Sequence, residues 1–225
     1  MDRMRISLVI LALALLPGAC ASVGPTDNPL VRKFTWFSYL NGDDLRADCR
    51  PGAPDAWRLV YNGSYLEQVR TYDLRRSGER WLLAMRVIEP PNLARGFTIP
   101  DILEPWRGVA REVTPAAGQV EELGRAVAAS GAFDPPPEGL SLSSDDFFWT
   151  AAVCRNGEFR FNAWAFPSPR FSAITFESVL RSLDVTDVPF NPPRQISYQS
   201  SREREEALRF TLRVVGNGLG GLPIP

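Results

Sequence analysis

WRLVYNGSYLEQVRTYDLRRSGERWLLAMRV, residues 57–87, is the stretch that decides the fold. Trp57, Leu59 and Tyr61 alternate with Arg58 and Val60, which is the period of a strand with one buried face. Asn62-Gly63 follows, and Asn-Gly after an alternating segment predicts a hairpin because both residues tolerate positive φ. Ser64 to Leu74 is rich in β-formers, and Ser77-Gly78 marks the next turn. Trp81, Leu83, Met85 and Val87 then alternate until Pro90-Pro91 stops the strand. The expectation is an antiparallel meander.

Downstream, residues 90–112 are punctuated by Pro and Gly, with Ile99, Ile102, Leu103 and Trp106 expected on the core. Thr114 reads as an N-cap and Pro115 as the first helical position. Val120, Leu123 and Val127 give the helical spacing to about Ser130, and Gly131 closes the helix. Asp134-Pro135-Pro136-Pro137 is a stiff connector. From Ser143, Phe147, Trp149, Ala151 and Val153 alternate with Phe148, Thr150, Ala152 and Cys154. Both faces are apolar, as in an interior strand. Asn156-Gly157 predicts a second hairpin with a return strand over 158–166, and Thr175 caps a short helix through Ser182. Residues 200–215 carry two patterns. Ser200 and Glu203 form a capping box with Gly216 as a stop, whereas Leu208, Phe210, Leu212 and Val214 alternate. The helix is preferred because helix formers crowd its start.

These elements predict an α+β fold: an antiparallel sheet built from two Asn-Gly hairpin units, with two or three helices packed on one face.

Upstream lies an export signal. Arg3 and Arg5 precede the apolar run Ile6 to Leu16, which Pro17-Gly18 ends before small residues follow. That run is roughly half the ~20 residues needed to span a bilayer. Two processing sites compete. Ala19-Cys20-Ala21 fits the A-x-A rule and releases a soluble chain starting at Ser22. Cys20 also resembles the lipidated cysteine of bacterial lipoproteins: Gly18 and Ala19 match that signal, while Leu16 sits one place early and Pro17 takes the usual Leu position. The resemblance concerns processing alone and implies a diacyl anchor, which holds firmly where a single chain does not. The expected organisation is a signal peptide over 1–21, a flexible tether over 22–33, one α+β domain over 34–215 and a flexible Gly-rich tail over 216–225. Within that domain, 34–40 reads as a first strand turning at Asn41-Gly42.

Apart from Cys20, the chain has Cys49 and Cys154. Two thiols in an exported domain are expected to pair, closing a long loop.

The search for chemistry is mainly one of exclusion. The 225-residue chain has no histidine, so Ser-His-Asp and Cys-His systems and His-based metal sites are absent. Lys33 is the single lysine, in the tether, and reads as a solvated charge. Net charge is −1 with no basic block, which argues against nucleic acid as a partner. No dinucleotide or P-loop motif occurs, and no cofactor is implied. Asp43-Asp44 and Asp145-Asp146 are the paired carboxylates; adjacent strand residues face opposite ways, so both pairs read as solvent-facing turn residues. Glu67 reads as a mid-strand acid that pairs structurally with Arg70, Arg58 or Arg86. Trp106, Trp164 and Phe166 are the candidate binding surface, on a Pro-rich loop and a strand face.

The expected role is a non-catalytic envelope protein: a lipoprotein or periplasmic interaction module, anchored to the membrane if Cys20 is acylated, with other envelope proteins as partners. The alternative is a periplasmic binder of a sugar, lipid or cell-wall fragment. A carboxylate-based hydrolase ranks third.

Overall fold

The structure is a computed structural model in which residues 21–90, 103 and 106–220 are described. The leader with Cys20, Ile99, Ile102 and the last five residues of the expected tail lie outside the described residues.

Strands β1 (Ala56–Gly63), β2 (Gln68–Ser77), β3 (Arg80–Ile88) and β4 (Val109–Val113) form a meander, and β6 (Phe147–Arg155) and β7 (Glu158–Ala165) extend it from the other side of β1. The six-stranded order is β4-β3-β2-β1-β6-β7, antiparallel throughout. The fold is α+β, as expected. Register places Leu59 between Tyr72 and Ala151, and Tyr61 between Arg70 and Trp149. Every residue of β6 but Arg155 is buried, because both sheet faces are covered.

One face packs on helices α3 (Ala117–Ala129) and α5 (Phe176–Leu183). Trp57, Leu59, Tyr61, Tyr72, Trp149 and Trp164 meet Val120, Leu123 and Val127 of α3, and Phe176 and Leu180 of α5. Gly124 marks the close approach: a Cβ there would lie 2.7 Å from Cη2 of Trp57. Between them α4 (Pro169–Ser172) is a single turn capped by Ser168.

The opposite face is also covered, so the helices are not confined to one side. Helix α1 (Pro29–Asn41) lays Trp36, Tyr39 and Leu40 on Val60, Val69, Phe148 and Phe161. Residues 34–40, expected as a strand, belong to this helix. The Asn28 side chain accepts from Leu30 N and Val31 N, Pro29 opens the helix, and Gly42 ends it at φ 69°. These caps outweigh the β preference of the aromatic residues between them. A short helix α2 (Asp43–Asp48) follows. Its C-cap, Cys49, is disulfide-bonded to Cys154 of β6, with a Cα–Cα distance of 5.6 Å, so the bridge ties this helical layer to the sheet.

Other elements shift from expectation. Asn62-Gly63 ends β1, and the first hairpin turns through Ser64 to Glu67, with Ser64 at φ 58°. The second turn is Asn156-Gly157, at φ 55° and 78°. Helix α3 starts after Ala116, whose N–H is bound by the Gln119 side chain at 2.9 Å, so Thr114-Pro115 lies outside it. Residues 200–215 divide between the two patterns they carry: helix α6 (Ser201–Ala207) follows the Ser200 cap, then strand β8 (Thr211–Val214) follows the alternation. With β5 (Ser141–Ser143) and β9 (Leu219–Gly220), β8 makes a small antiparallel sheet whose Leu142, Leu212 and Val214 join the α1-side core.

The described residues of the expected tether, 22–33, and of the expected tail, 216–220, make specific contacts with the domain. Ser22 is buried and its N–H donates to Ser38 Oγ at 3.0 Å, while residues 29–33 are the first turns of α1. At the other end Asn217 docks on the open edge of β7: its Oδ1 accepts from Phe161 N at 2.6 Å and its Nδ2 donates to Phe159 O at 2.9 Å. That side chain supplies the partners a further strand would have given. No helix among the described residues is long and apolar enough to cross a membrane.

Candidate functional site

The expected surface residues separate. Trp164 is fully buried, and its Nε1 donates to Ser130 O at 2.9 Å; it is a core residue, because α3 and α5 cover its strand face. Phe166 packs edge-on between Phe147 and Phe171, with centroids 6.2 and 5.5 Å away. Only Trp106 remains at the surface, 38% exposed.

Trp106 lines a groove of about 360 Å³ between α1 and the open end of the meander. Trp36, Tyr65, Leu66, Val69 and Ile88 supply its apolar wall, and Arg32, Lys33 and Glu89 stand at it as charged groups. The local geometry follows from the caps of α1. Residues 29, 32, 33 and 36 are neighbours at helical spacing, which brings Pro29, Arg32, Lys33 and Trp36 to one side. Arg32 reaches inward, its Nη1 donating to Arg107 O at 3.2 Å and its Nη2 to Trp106 O, which fixes the loop carrying the indole. Burial first, and Arg86 second, hold the Arg32 pKa below the usual guanidinium value. Tyr65 is placed by its N–H to Ser144 O at 2.7 Å and meets the Trp36 ring at 6.2 Å; burial pushes its phenol pKa up. Trp36 Nε1 is buried with no hydrogen-bond partner among the described residues. Trp36, Tyr65, Leu66 and Val69 were not read as a site, because aromatic and aliphatic residues in strand-like patterns signal core by default.

Of the carboxylates read as solvent-facing, Asp146 is exposed and Asp43 half-buried, but Asp145 and the Asp44 side chain are buried. Asp44 and Asp73 converge on Arg58, which is 1% exposed: Nε to Asp73 Oδ1 at 2.7 Å, Nη1 to Asp44 Oδ1 at 2.7 Å and Nη2 to Asp44 Oδ2 at 2.9 Å. Arg75 adds a bond to Asp44 Oδ2 at 2.7 Å, and the Arg58 guanidinium stacks 3.7 Å from the Tyr39 ring. Burial opposes ionisation of Asp44, but hydrogen bonds from Arg58 and Arg75 outweigh it and lower its pKa. Burial and the adjacent Asp73 push the Tyr39 phenol well above its ordinary range. This cluster joins α1 and α2 to the sheet, and its carboxylates are already engaged by arginine donors.

Glu67 lies in the turn, not mid-strand, and pairs with Arg194 at 2.6 Å rather than with the three arginines expected. Arg70 instead binds Asp184 at 2.7 Å, anchoring the chain after α5. Asp145 is buried, with Arg204 Nε 3.5 Å from Oδ2. Burial and Asp145 raise the pKa of Asp146, and the same pair of causes pushes Tyr198 up to about 12. Among the described residues, no group of three His, Cys, Asp or Glu is placed to hold a metal ion.

In comparison with known proteins, no family model, no curated protein and no solved structure matches this chain.

Proposed function

We propose that this is an exported cell-envelope protein, anchored through an acylated Cys20, that works by non-covalent binding rather than catalysis. Its binding surface is the groove between α1 and the β1–β2 turn, and its partner is an apolar segment of another envelope protein. One observation carries this: a groove with an apolar wall formed in part by Trp36, whose buried N–H has no partner among the described residues, with Arg32 and Lys33 beside it. Such a groove suits an apolar body that brings a hydrogen-bond acceptor or an anionic end. The buried carboxylates support the non-catalytic side, since Asp44 and Asp73 are held by Arg58 and Arg75.

A small amphiphile in the same groove is the second reading, favoured by the volume, which falls within the range of small-molecule sites.

A photo-crosslinking residue in place of the groove-lining Leu66, in the full chain in its native envelope, separates the two. A discrete protein adduct supports the interaction module. An adduct of lipid or small-molecule mass supports the second reading. Crosslinking no greater than from Glu121, on the exposed side of α3, rejects the groove as a binding surface.

A further inference from the structure

The chain between residues 21 and 29 is not slack. Ser22 is buried against Ser38, Gly24 N donates to Ser22 Oγ at 3.1 Å, and Asp27 pairs with Arg86. The segment therefore runs back along α1, from Ser38 to the Asn28 cap.

Helical spacing gives that path a consequence. Ser38 follows Phe34 by four residues and Val31 by seven, so the three share one stripe of α1, with Leu30 four residues before Phe34 beside it. This stripe faces solvent: Phe34 is 67% exposed, Leu30 55% and Val31 42%, and nearby Val23 is 90% exposed. Residues 28–41 contain Arg32 and Lys33 and no acidic residue. The chain thus meets α1 on the side where α1 shows unburied apolar side chains.

We infer that this stripe of α1 docks on the surface of the bilayer, with Phe34, Leu30 and Val31 at the boundary between headgroups and acyl chains. The inference rests on the proposed anchor at Cys20. Only Ala21 separates Cys20 from Ser22, and the two residue steps reach at most about 7 Å. A diacyl group on Cys20 is therefore held close to the Ser38 end of the stripe, with no tether to let the domain stand away. Exposed apolar residues on one side of a helix suit the interface of a membrane, and Lys33, exposed beside that side, is a cation for anionic headgroups, whereas Arg32 is turned inward to the groove. The domain then lies flat on the membrane through α1, with α3 on the far side of the sheet.

The test uses the full chain expressed with its own leader, carrying Phe34→Cys or, as control, Glu121→Cys. Both sites are exposed, and Cys49 and Cys154 are paired, so an environment-sensitive thiol dye labels the new cysteine. The purified protein is weighed intact and reconstituted in vesicles of phosphatidylethanolamine and phosphatidylglycerol, with and without brominated acyl chains. The expected result is acyl mass on Cys20, with blue-shifted emission from the Phe34→Cys label that brominated chains quench, and no change for the control. Acyl mass with an unshifted Phe34→Cys label overturns the docking and leaves the anchor standing. A blue shift that brominated chains do not quench assigns the stripe to a second protein copy and also overturns it. A chain starting at Ser22 without acyl mass overturns the anchor and, with it, the docked geometry.

Discussion

Both carboxylate oxygens of Asp44 face the guanidinium of Arg58, Oδ1 2.7 Å from Nη1 and Oδ2 2.9 Å from Nη2. Removing the Asp44 charge leaves the buried Arg58 with Asp73 alone as a counter-ion, so Asp44→Asn is expected to destabilise the protein by about 2–4 kcal/mol at neutral pH. The sign with pH is set by the lowered Asp44 pKa. Its contribution is present above the unfolded carboxylate value and is lost as pH falls through the lower folded one. Urea unfolding below about pH 4 should show a shallower acid loss in the variant than in the parent. Equal acid slopes would exclude Asp44 as a source of that loss.

Glu177 should behave in the opposite way. Burial raises its pKa against the lowering effects of Trp149 and Arg181. A carboxyl with a raised folded value destabilises the native state above that value, and the penalty vanishes as pH falls below the unfolded one. Glu177→Gln is expected to raise the melting temperature at neutral pH and to lose that advantage below about pH 4. A variant less stable at neutral pH would show that the charged form is needed.

The Cys49–Cys154 bridge spans 105 residues of sequence. In the chain-entropy model, closing a loop of that size contributes on the order of 4–5 kcal/mol. The denaturation midpoint of the parent should fall in reductant towards that of the Cys49→Ala, Cys154→Ala double variant, which itself should not respond. A parent midpoint indifferent to reductant would show that the bridge is absent in solution.

Asn217 holds the β7 edge through two side-chain bonds, so Asn217→Ala is expected to cost about 1–3 kcal/mol. Hydrogen exchange locates the effect. The Phe161 amide, which donates to Asn217, should lose protection, while interior amides such as Leu59 keep theirs. Uniform loss across the sheet would mean global destabilisation instead.

The two tryptophans named as candidate surface residues should now divide. Trp164→Ala empties a core position and is expected to cost about 3–5 kcal/mol. Trp106→Ala, at the groove, should cost about 1 kcal/mol or less while reducing crosslinking from position 66. Comparable stability losses would place Trp106 in the core.

Much of the architecture was legible locally. Alternation in Trp57, Leu59 and Tyr61 marks β1, the doubly apolar run from Phe147 marks an interior strand, and Val120, Leu123 and Val127 mark α3. Two patterns were present but read at the wrong level. Asn28, Pro29 and Gly42 are helix boundaries, yet the β-forming aromatics inside α1 and the polar residues before it suggested strand and tether. In 200–215 both signals were genuine, one for α6 and one for β8.

By itself, the sequence determined the strands and hairpins of the meander and of the β6–β7 pair, the cysteines available for a bridge and the absence of histidine chemistry, because these depend on residue type and short-range periodicity. Only the tertiary structure decided which aromatic residues are core and which line a groove. It also decided that Asp44 lies under Arg58, that Ser22 is fastened to Ser38 and that Asn217 closes a sheet edge. Asn217 and Phe161 lie 56 residues apart, and even the closer pairs, Asp44 with Arg58 and Ser22 with Ser38, belong to different layers or segments; in every case the side chain's surroundings are set by how the elements stack, which no local period encodes.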